Sequence, residues 1–155
     1  MNVAALKSHT QDIVVEDVFP HSAEVIWKTL TSGALMRRWL KMPSTGFEAV
    51  KGTHFTFQTT PAGVWDGVIR CEVLEVVPNQ RFVFSWQGGD DGNEGYGSRL
   101  DTTVTFTLAK ADGGTRLRLV HAGFVTPKND GAYKNMSGGW KKVVPQIGAI
   151  SGEQN

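Results

Sequence analysis

Four histidines (His9, His21, His54, His121), one cysteine (Cys71) and a few serines are the side chains that could carry proton transfer, nucleophilic attack or metal binding. No two histidines stand three or four residues apart, the spacing that places ligands on one helix face, so no metal motif is present. A lone cysteine excludes a Cys-cluster zinc site and an intramolecular disulfide, and Cys71 reads as a small buried hydrophobe. Ser85, Ser98 and Ser137 lack the small-residue elbow that exposes a nucleophilic serine. The run Gly88, Gly89, Gly92, Gly95, Gly97 is followed by no helix and is not a dinucleotide fingerprint. Its acids Asp90, Asp91 and Glu94 do not have calcium-loop spacing. It reads as a mobile, solvated hairpin loop over 88–98, or alternatively as a lid on a cavity mouth. His121 shares strand parity with Leu117 and Leu119 and so points inward. It is either a hydrogen-bonded interior histidine or, in a pocket, the one clear general acid or base. His54 has the opposite parity to Phe55 and Phe57 and faces water.

The aromatic residues say more. Phe55, Phe57, Phe82, Phe84, Trp86 and Phe106 fall on inward positions of adjacent strands, and Trp140 faces them from a terminal helix. Two readings follow: an ordinary aromatic core filled to close packing, or the wall of a cavity left by a helix standing off a curved sheet.

The elements that position these residues follow from a change of period. Residues 12–19 are rich in β-branched side chains and form a strand that Pro20 ends. Ser22 is the N-cap of a helix with Glu24 in its first turn and Ala23, Ile26, Trp27 and Leu30 on one face. Gly33 interrupts; Leu35, Met36, Trp39 and Leu40 resume the period until Pro43 closes the second short helix. From Gly46 the period falls to two, giving strands around Phe55 and Phe57, over 66–77, around Phe82–Trp86, around Val104–Leu108 and around Leu117–His121. The pairs Val68-Ile69 and Val73-Leu74 leave the facing of the 66–77 strand ambiguous. Asn129 or Asp130 caps a last helix carrying Met136, Trp140, Val143, Val144, Ile147 and Ile150 on one side. Gly138, Gly139 and Gly148 weaken that helix by up to about 1 kcal/mol each relative to alanine. Pro145 removes a hydrogen bond and is expected to kink it. The helix must be held by packing on the sheet.

With 155 residues, one domain with a core at about 12–150 is expected. The 16 basic and 15 acidic side chains leave a net charge of +1, which argues against nucleic-acid binding. Arg37, Arg38 and Lys41 are the densest basic cluster, with Lys141-Lys142 another; both decorate outer helix faces. No apolar run is long enough to span a bilayer, and Met1 to Thr10 lack the core of a signal peptide, so no membrane insertion and a cytoplasmic location are expected.

Five stretches together resemble the SRPBCC superfamily, the helix-grip proteins that include START domains and the birch pollen allergen. Within it, the similarity points to the branch of the activator of heat-shock protein 90 ATPase. They are Val18-Phe19-Pro20 leading into Ala23-Glu24-Val25-Ile26-Trp27, with Trp39 ending the following helix; Trp65-Asp66-Gly67-Val68 running to Glu75-Val76-Val77-Pro78; Arg81-Phe82-Val83-Phe84-Ser85-Trp86; Thr103-Val104-Thr105-Phe106 with Gly113-Gly114-Thr115, Leu117, Leu119 and His121; and Gly138-Gly139-Trp140 with Val144 and Ile147. The resemblance implies an α+β fold: a curved antiparallel sheet gripping a long C-terminal helix, with two short helices between the first two strands and a cavity between sheet and helix. Pro145 departs from the usual terminal helix.

The expected function is binding of a small hydrophobic ligand, aromatic or acyl and lipid-like. Phe57, Phe82, Phe84, Trp86, Phe106, Leu117, Leu119, Trp140, Val144 and Ile147 line the expected pocket, and His121 with the Trp86 and Trp140 N–H groups orients the ligand. Two alternatives come with the resemblance. One is a chaperone-ATPase partner docking on an outer surface such as Arg37, Arg38 and Lys41. The other is a polyketide cyclase or aromatase working through His121. No catalytic residue, metal ligand or cofactor is assigned.

Overall fold

A computed structural model describes residues 9–154; the expectation for Met1 to Thr10 falls, up to residue 8, outside the described residues. Strand β1 (His9–Phe19) is followed by α1 (Ala23–Thr31) and α2 (Gly33–Leu40). Then come β2 (Ser44–Thr45), β3 (His54–Gln58), β4 (Val68–Val77), β5 (Arg81–Gly88), β6 (Leu100–Ala111), β7 (Gly114–Thr126) and the last helix, α3 (Asp130–Glu153). All strand pairs are antiparallel, in one seven-stranded sheet ordered β1-β7-β6-β5-β4-β3-β2. The helix pair α1–α2 therefore carries the chain from one sheet edge to the other, and α3 lies against β1, β7 and both short helices.

The local signals act largely as the sequence suggests. Ser22 is extended, and its Oγ accepts from the Val25 N–H at 3.3 Å, capping α1. Ser32 serves two helices: its N–H donates to the Lys28 carbonyl, and its Oγ accepts from the Leu35 N–H at 3.4 Å. The second helix does not run to Pro43. Lys41 takes left-handed backbone (φ 58°) and donates its N–H to the Arg37 carbonyl, an αL cap that ends α2 first. Pro43 is then free to pair, and its carbonyl accepts from the Gln58 N–H beside β3.

Strand β4 begins at Val68 rather than at residue 66, because Gly67 turns at φ 81° and the Asp66 carboxylate accepts the Val68 N–H. Its facing resolves through a register shift between Val73 and Glu75. Ile69, Cys71 and Val73 face inward, Leu74 is 38% exposed, and Val76 returns to the core. Burial pushes the Cys71 thiol above its ordinary pKa, in keeping with a buried apolar role. His54 is exposed, as its parity requires.

The centre of the fold is close-packed. Phe82, Phe84 and Phe106 from the sheet meet Trp39 and Trp140 from the helices, with Trp39–Phe106 and Phe106–Trp140 ring centroids 5.8 and 6.0 Å apart. The C-terminal half of α3 sits tight on this layer. Gly148 lets the helix backbone reach the Phe19 ring, whose Cδ1 an added Cβ would overlap. Pro145 lies on the exposed side of an α3 that continues as helix through it, so the hydrogen bond it removes faces solvent.

Two glycine substitutions in α3 should therefore act in opposite directions in urea unfolding. Gly148→Ala is expected to cost about 1–3 kcal/mol by overpacking against Phe19. Gly138→Ala, with nothing within 4 Å of the new Cβ, is expected to add up to about 1 kcal/mol from helix propensity.

Candidate functional site

Neighbouring strands and α3 bring four polar groups together inside the apolar layer. Trp86 is on β5, Thr102 on β6, His121 on β7 and Trp140 on α3, all 3% exposed or less. The Trp140 Nε1–H donates to His121 Nδ1 at 3.0 Å. This leaves the neutral ring's proton on Nε2, which lies 2.8 Å from Thr102 Oγ1; that hydroxyl in turn donates to the Trp86 carbonyl at 2.7 Å. Each member has its partner, so His121 is buried without an unmade hydrogen bond. Burial pushes its pKa from 6.5 down to about 3, which keeps the ring neutral at ordinary pH.

One polar atom beside this chain is left over. Among the described residues, the Trp86 indole N–H is the buried side-chain donor with no acceptor in the protein. The Trp86 ring borders a cavity of about 150 Å³. Trp140, Gly139, Met136 and Val143 from α3 form one wall, and Ile69 and Leu100 from the sheet form another. Ala132 and Asn135 of α3 and Leu40 at the end of α2 also line it, with Met42 after α2, Thr59 and Trp65 before β4, and Gly89, Tyr96, Gly97 and Ser98 from the glycine-rich segment. Among the described residues, no lining side chain is charged.

The glycine-rich segment is tied down. Asn93 Nδ2 donates to the carbonyls of Ala62 and Gly97, and its Oδ1 accepts from the Val64 N–H. Ser98 Oγ donates to the Lys128 carbonyl and accepts from Asn129 Nδ2. Asn129, 1% exposed, also donates to the Arg99 carbonyl and accepts the Val125 N–H. Its side chain thus fastens the segment instead of capping α3, which starts without a side-chain cap. Asp91 bridges Lys128 and Arg99, and the Lys128 hydrogen bond, with Arg99 beside it, holds its carboxyl below its ordinary pKa. The segment is the loop of the β5–β6 hairpin, with Asp91, Gly92 and Glu94 exposed and Gly89, Tyr96, Gly97 and Ser98 on the cavity.

Of the residues expected to line the pocket, Trp86 and Trp140 do so, and the Trp140 N–H is spent on His121. Phe57, Phe82, Phe84, Phe106, Leu117, Leu119, Val144 and Ile147 are 1% exposed or less, packed in the central core and not on the cavity surface. His121 stands behind the two tryptophans, its ring centroid 5.2 Å from Trp86 and 6.0 Å from Trp140. The cavity sits at the α3 N-terminal end of the layer, where Gly139 contributes no side chain and has nothing within 4 Å of a Cβ position. Sequence parity did not point to Met42, Trp65, Tyr96, Met136 and Val143 as a group. The available signal was a helix that spends a glycine next to an inward tryptophan. Among the described residues, no three His, Cys, Asp or Glu side chains gather as a metal site.

An antiparallel sheet gripping a long C-terminal helix, with a helix pair between its first two strands, is the helix-grip fold of the SRPBCC superfamily. Residues 20–152 match the family described as Activator of Hsp90 ATPase homolog 1-like protein, and the chain belongs to that family. A crystal structure of a Mesorhizobium loti protein is 30% identical and superposes with a TM-score of 0.77 over 94% of this chain and 99% of that one. A Rhizobium loti protein is 20% identical, with a TM-score of 0.73 over 92% and 98%. DynU16, from the dynemicin biosynthetic locus, is 17% identical, with a TM-score of 0.66 over 89% of this chain and 46% of its own. The last two are similar in fold. No curated protein matches the sequence. No helix among the described residues is long and apolar enough to cross a membrane.

The His121 network has a measurable acid signature. The unfolded chain takes up a proton near pH 6.5, whereas the folded chain resists until about 3. The stabilisation from this group is therefore complete above about pH 6.5 and falls towards about pH 3, with a limiting slope of about 1.4 kcal/mol per pH unit. His121→Gln is expected to be less stable at pH 7 by about 1–3 kcal/mol. Its deficit should shrink as pH falls, and urea unfolding at pH 7, 5.5 and 4.5 reads the difference.

Proposed function

We propose that this chain binds a small hydrophobic ligand in the cavity between the α3 N-terminal half, the sheet end and the glycine-rich segment. The observation that carries the reading is an uncharged, largely apolar space kept open by Gly139 and walled by loops that Asn93 and Asn129 hold in place. Its volume selects among ligand classes. About 150 Å³ is the size of an engineered apolar cavity that accepts benzene. Sterols, long acyl chains and polyketides need sites of about 300–1,000 Å³. The ligand is therefore one ring or a short branched chain, with any extension leaving past the half-exposed Met136 and the exposed Asn135.

An NMR titration with toluene, ethylbenzene and cyclohexane tests this, using the Trp65, Trp86 and Trp140 indole N–H signals as reporters. Saturable shifts at these three are expected, with none at Trp27. Gly139→Met, which fills the space from α3, should abolish the shifts while the protein stays folded. Saturable binding that survives Gly139→Met would remove the cavity as its site.

The family description supports a second reading, a chaperone ATPase as partner. Arg37 and Lys41 are exposed and available for it, whereas Arg38 is held by Glu153 of α3 through two contacts at 2.9 and 3.0 Å. Co-precipitation of an Hsp90-type ATPase that is lost on Arg37→Glu with Lys41→Glu would support docking there, and unchanged capture would exclude that surface. A catalytic reading rested on His121. With both ring nitrogens engaged and the ring behind the cavity wall, His121 is not placed to exchange a proton with a bound ligand.

A further inference from the structure

The sheet's outer face carries a second hollow, of about 430 Å³, that backs on the apolar cavity. Trp65, Gly89 and Leu100 line both spaces. The first lining is uncharged; the second includes Asp66, Arg70, Gln87, Asp90, Arg99 and Asp101. Strand pairing sets three of these side chains in a row. Arg70 of β4 is opposite Gln87 of β5, and Gln87 is opposite Asp101 of β6, so all three project from one exposed face. At one end of the row, Gln87 Nε2–H donates to Asp101 Oδ1 at 3.0 Å. Arg70 stands at the other end. Among the described residues, no carboxylate is within ion-pair distance of its guanidinium and no side-chain hydrogen bond engages it.

The other charged groups are each half engaged. Asp66 Oδ1 accepts the Val68 N–H, Asp90 Oδ1 accepts the Gly92 N–H, and Arg99 pairs through Nε with Asp91, which is not part of the lining. One oxygen on each of the three lining aspartates therefore has no donor among the described residues. Opposite charges share one hollow without neutralising each other. The aspartates are too dispersed for a single ion: among the described residues, no three acidic, His or Cys side chains gather as a metal site. Arg70 is complementary to a carboxylate, to which a guanidinium offers two parallel N–H groups. The aspartates are complementary to cationic donors. With Arg99 balanced by Asp91, they outnumber the free guanidinium three to one. Arg70 and Asp101 stand two strand spacings apart, about 10 Å. One amino-acid-sized molecule spans that gap with a hydrogen bond of about 2.8 Å at each end.

We propose that this hollow binds a free basic α-amino acid, a zwitterion with one carboxylate and two cationic nitrogen groups, such as lysine, ornithine or arginine. Its carboxylate pairs with Arg70, its side-chain cation with Asp101 across the row, and its α-ammonium with the loop carboxylates of Asp66 and Asp90. The site is separate from the apolar cavity, and neither reading depends on the other.

Four probes isolate the charges. L-lysine carries the full set, L-norleucine lacks the side-chain cation, cadaverine lacks the carboxylate, and L-glutamate replaces the second cation with an anion. An NMR titration of the intact protein at pH 7 and low salt reads them through the Gln87 side-chain amide and the Gly88 and Gly89 backbone signals. Lysine is expected to bind in the millimolar range, because the pairs it makes are exposed to solvent. It should bind about fivefold more tightly than norleucine or cadaverine, the effect of one exposed charge pair. Glutamate should be the weakest. The Trp86 and Trp140 indole signals, which belong to the apolar cavity, should stay in place. In Arg70→Gln the ratio of lysine to cadaverine affinity is expected to fall to about one, and in Asp101→Asn the ratio of lysine to norleucine affinity should do so. Both side chains are exposed, so both variants keep the fold. Equal wild-type affinity for lysine and norleucine would overturn the second cation, and equal affinity for lysine and cadaverine would overturn Arg70 as the carboxylate's partner; either result removes the basic amino acid. No saturable shift with millimolar lysine would overturn the site itself. The hydrocarbon titration of the apolar cavity is unaffected by any of these results.

Discussion

The hydrogen-bond chain from Trp140 through His121 and Thr102 to the Trp86 carbonyl is the constraint on which the rest of the molecule depends. It is the point where α3 is joined by polar bonds to the middle of the sheet, crossing from the helix to β7, β6 and β5 in turn. A helix with glycines at 138, 139 and 148 and proline at 145 has little intrinsic stability, so its position must come from what it touches. Apolar packing alone is tolerant of sliding, because dispersion contacts have no preferred partner. A buried N–H and a buried imidazole do have one, and displacing α3 would leave both unsatisfied in a dry interior. The network therefore sets the register of the helix, and burial keeps the imidazole neutral so that the bonding pattern persists across ordinary pH.

With the helix pinned at Trp140, its two halves meet different surroundings. Towards the C-terminus, Val144, Ile147 and Gly148 close on Phe19 and the sheet, and the missing side chain of Gly148 is filled by the Phe19 ring. Towards the N-terminus, the missing side chain of Gly139 is filled by nothing. The same residue type thus permits close contact at one place and leaves space at another. What separates them is the partner across the gap: an aromatic ring on β1 in the first case, and in the second a peptide segment held at a distance by Asn93 and Asn129.

Strand parity carried most of the fold in the sequence. Phe82, Phe84 and Trp86 on β5, Val104 and Phe106 on β6, and Leu117, Leu119 and His121 on β7 all point inward as their alternation requires. Parity left the facing open where the ladder itself is irregular, at Val73-Leu74, because a bulge is set by cross-strand pairing rather than by local pattern. The end of α2 was misplaced for a similar reason. Proline is the visible breaker, but Lys41 ends the helix by adopting left-handed backbone, which lysine does not advertise. The site was less legible than the fold. Parity says which side chains point inward; it does not say whether the space between them is full. Phe57, Phe82, Phe84 and Phe106 were expected to wall a cavity and instead fill the layer, because their rings are linked, Phe57 through Phe55, at centroid distances of 5.3–6.5 Å. The lining that does exist draws on α3 and on several loops, whose mutual placement follows from hydrogen bonds between segments far apart in sequence.

The location of the cavity also explains how a fold this densely packed can hold open space. Opening space at the centre of the layer would forfeit aromatic contacts on every side and leave a void in the region that holds the sheet and α3 together. At the end of the layer, the walls are loops already held by side-chain to main-chain hydrogen bonds, so their positions do not depend on filling the gap. Trp65 and Tyr96 illustrate the arrangement. Their rings meet edge to face at 6.2 Å across two loops, Trp65 Nε1–H donates to the Val68 carbonyl, and the Tyr96 hydroxyl donates to the Thr60 carbonyl. Both rings line the cavity with their polar atoms satisfied by the protein, and the Trp140 ring lines it with its N–H on His121. Against that background the unsatisfied Trp86 N–H is conspicuous: the remaining indole and phenol groups of the lining are all provided for.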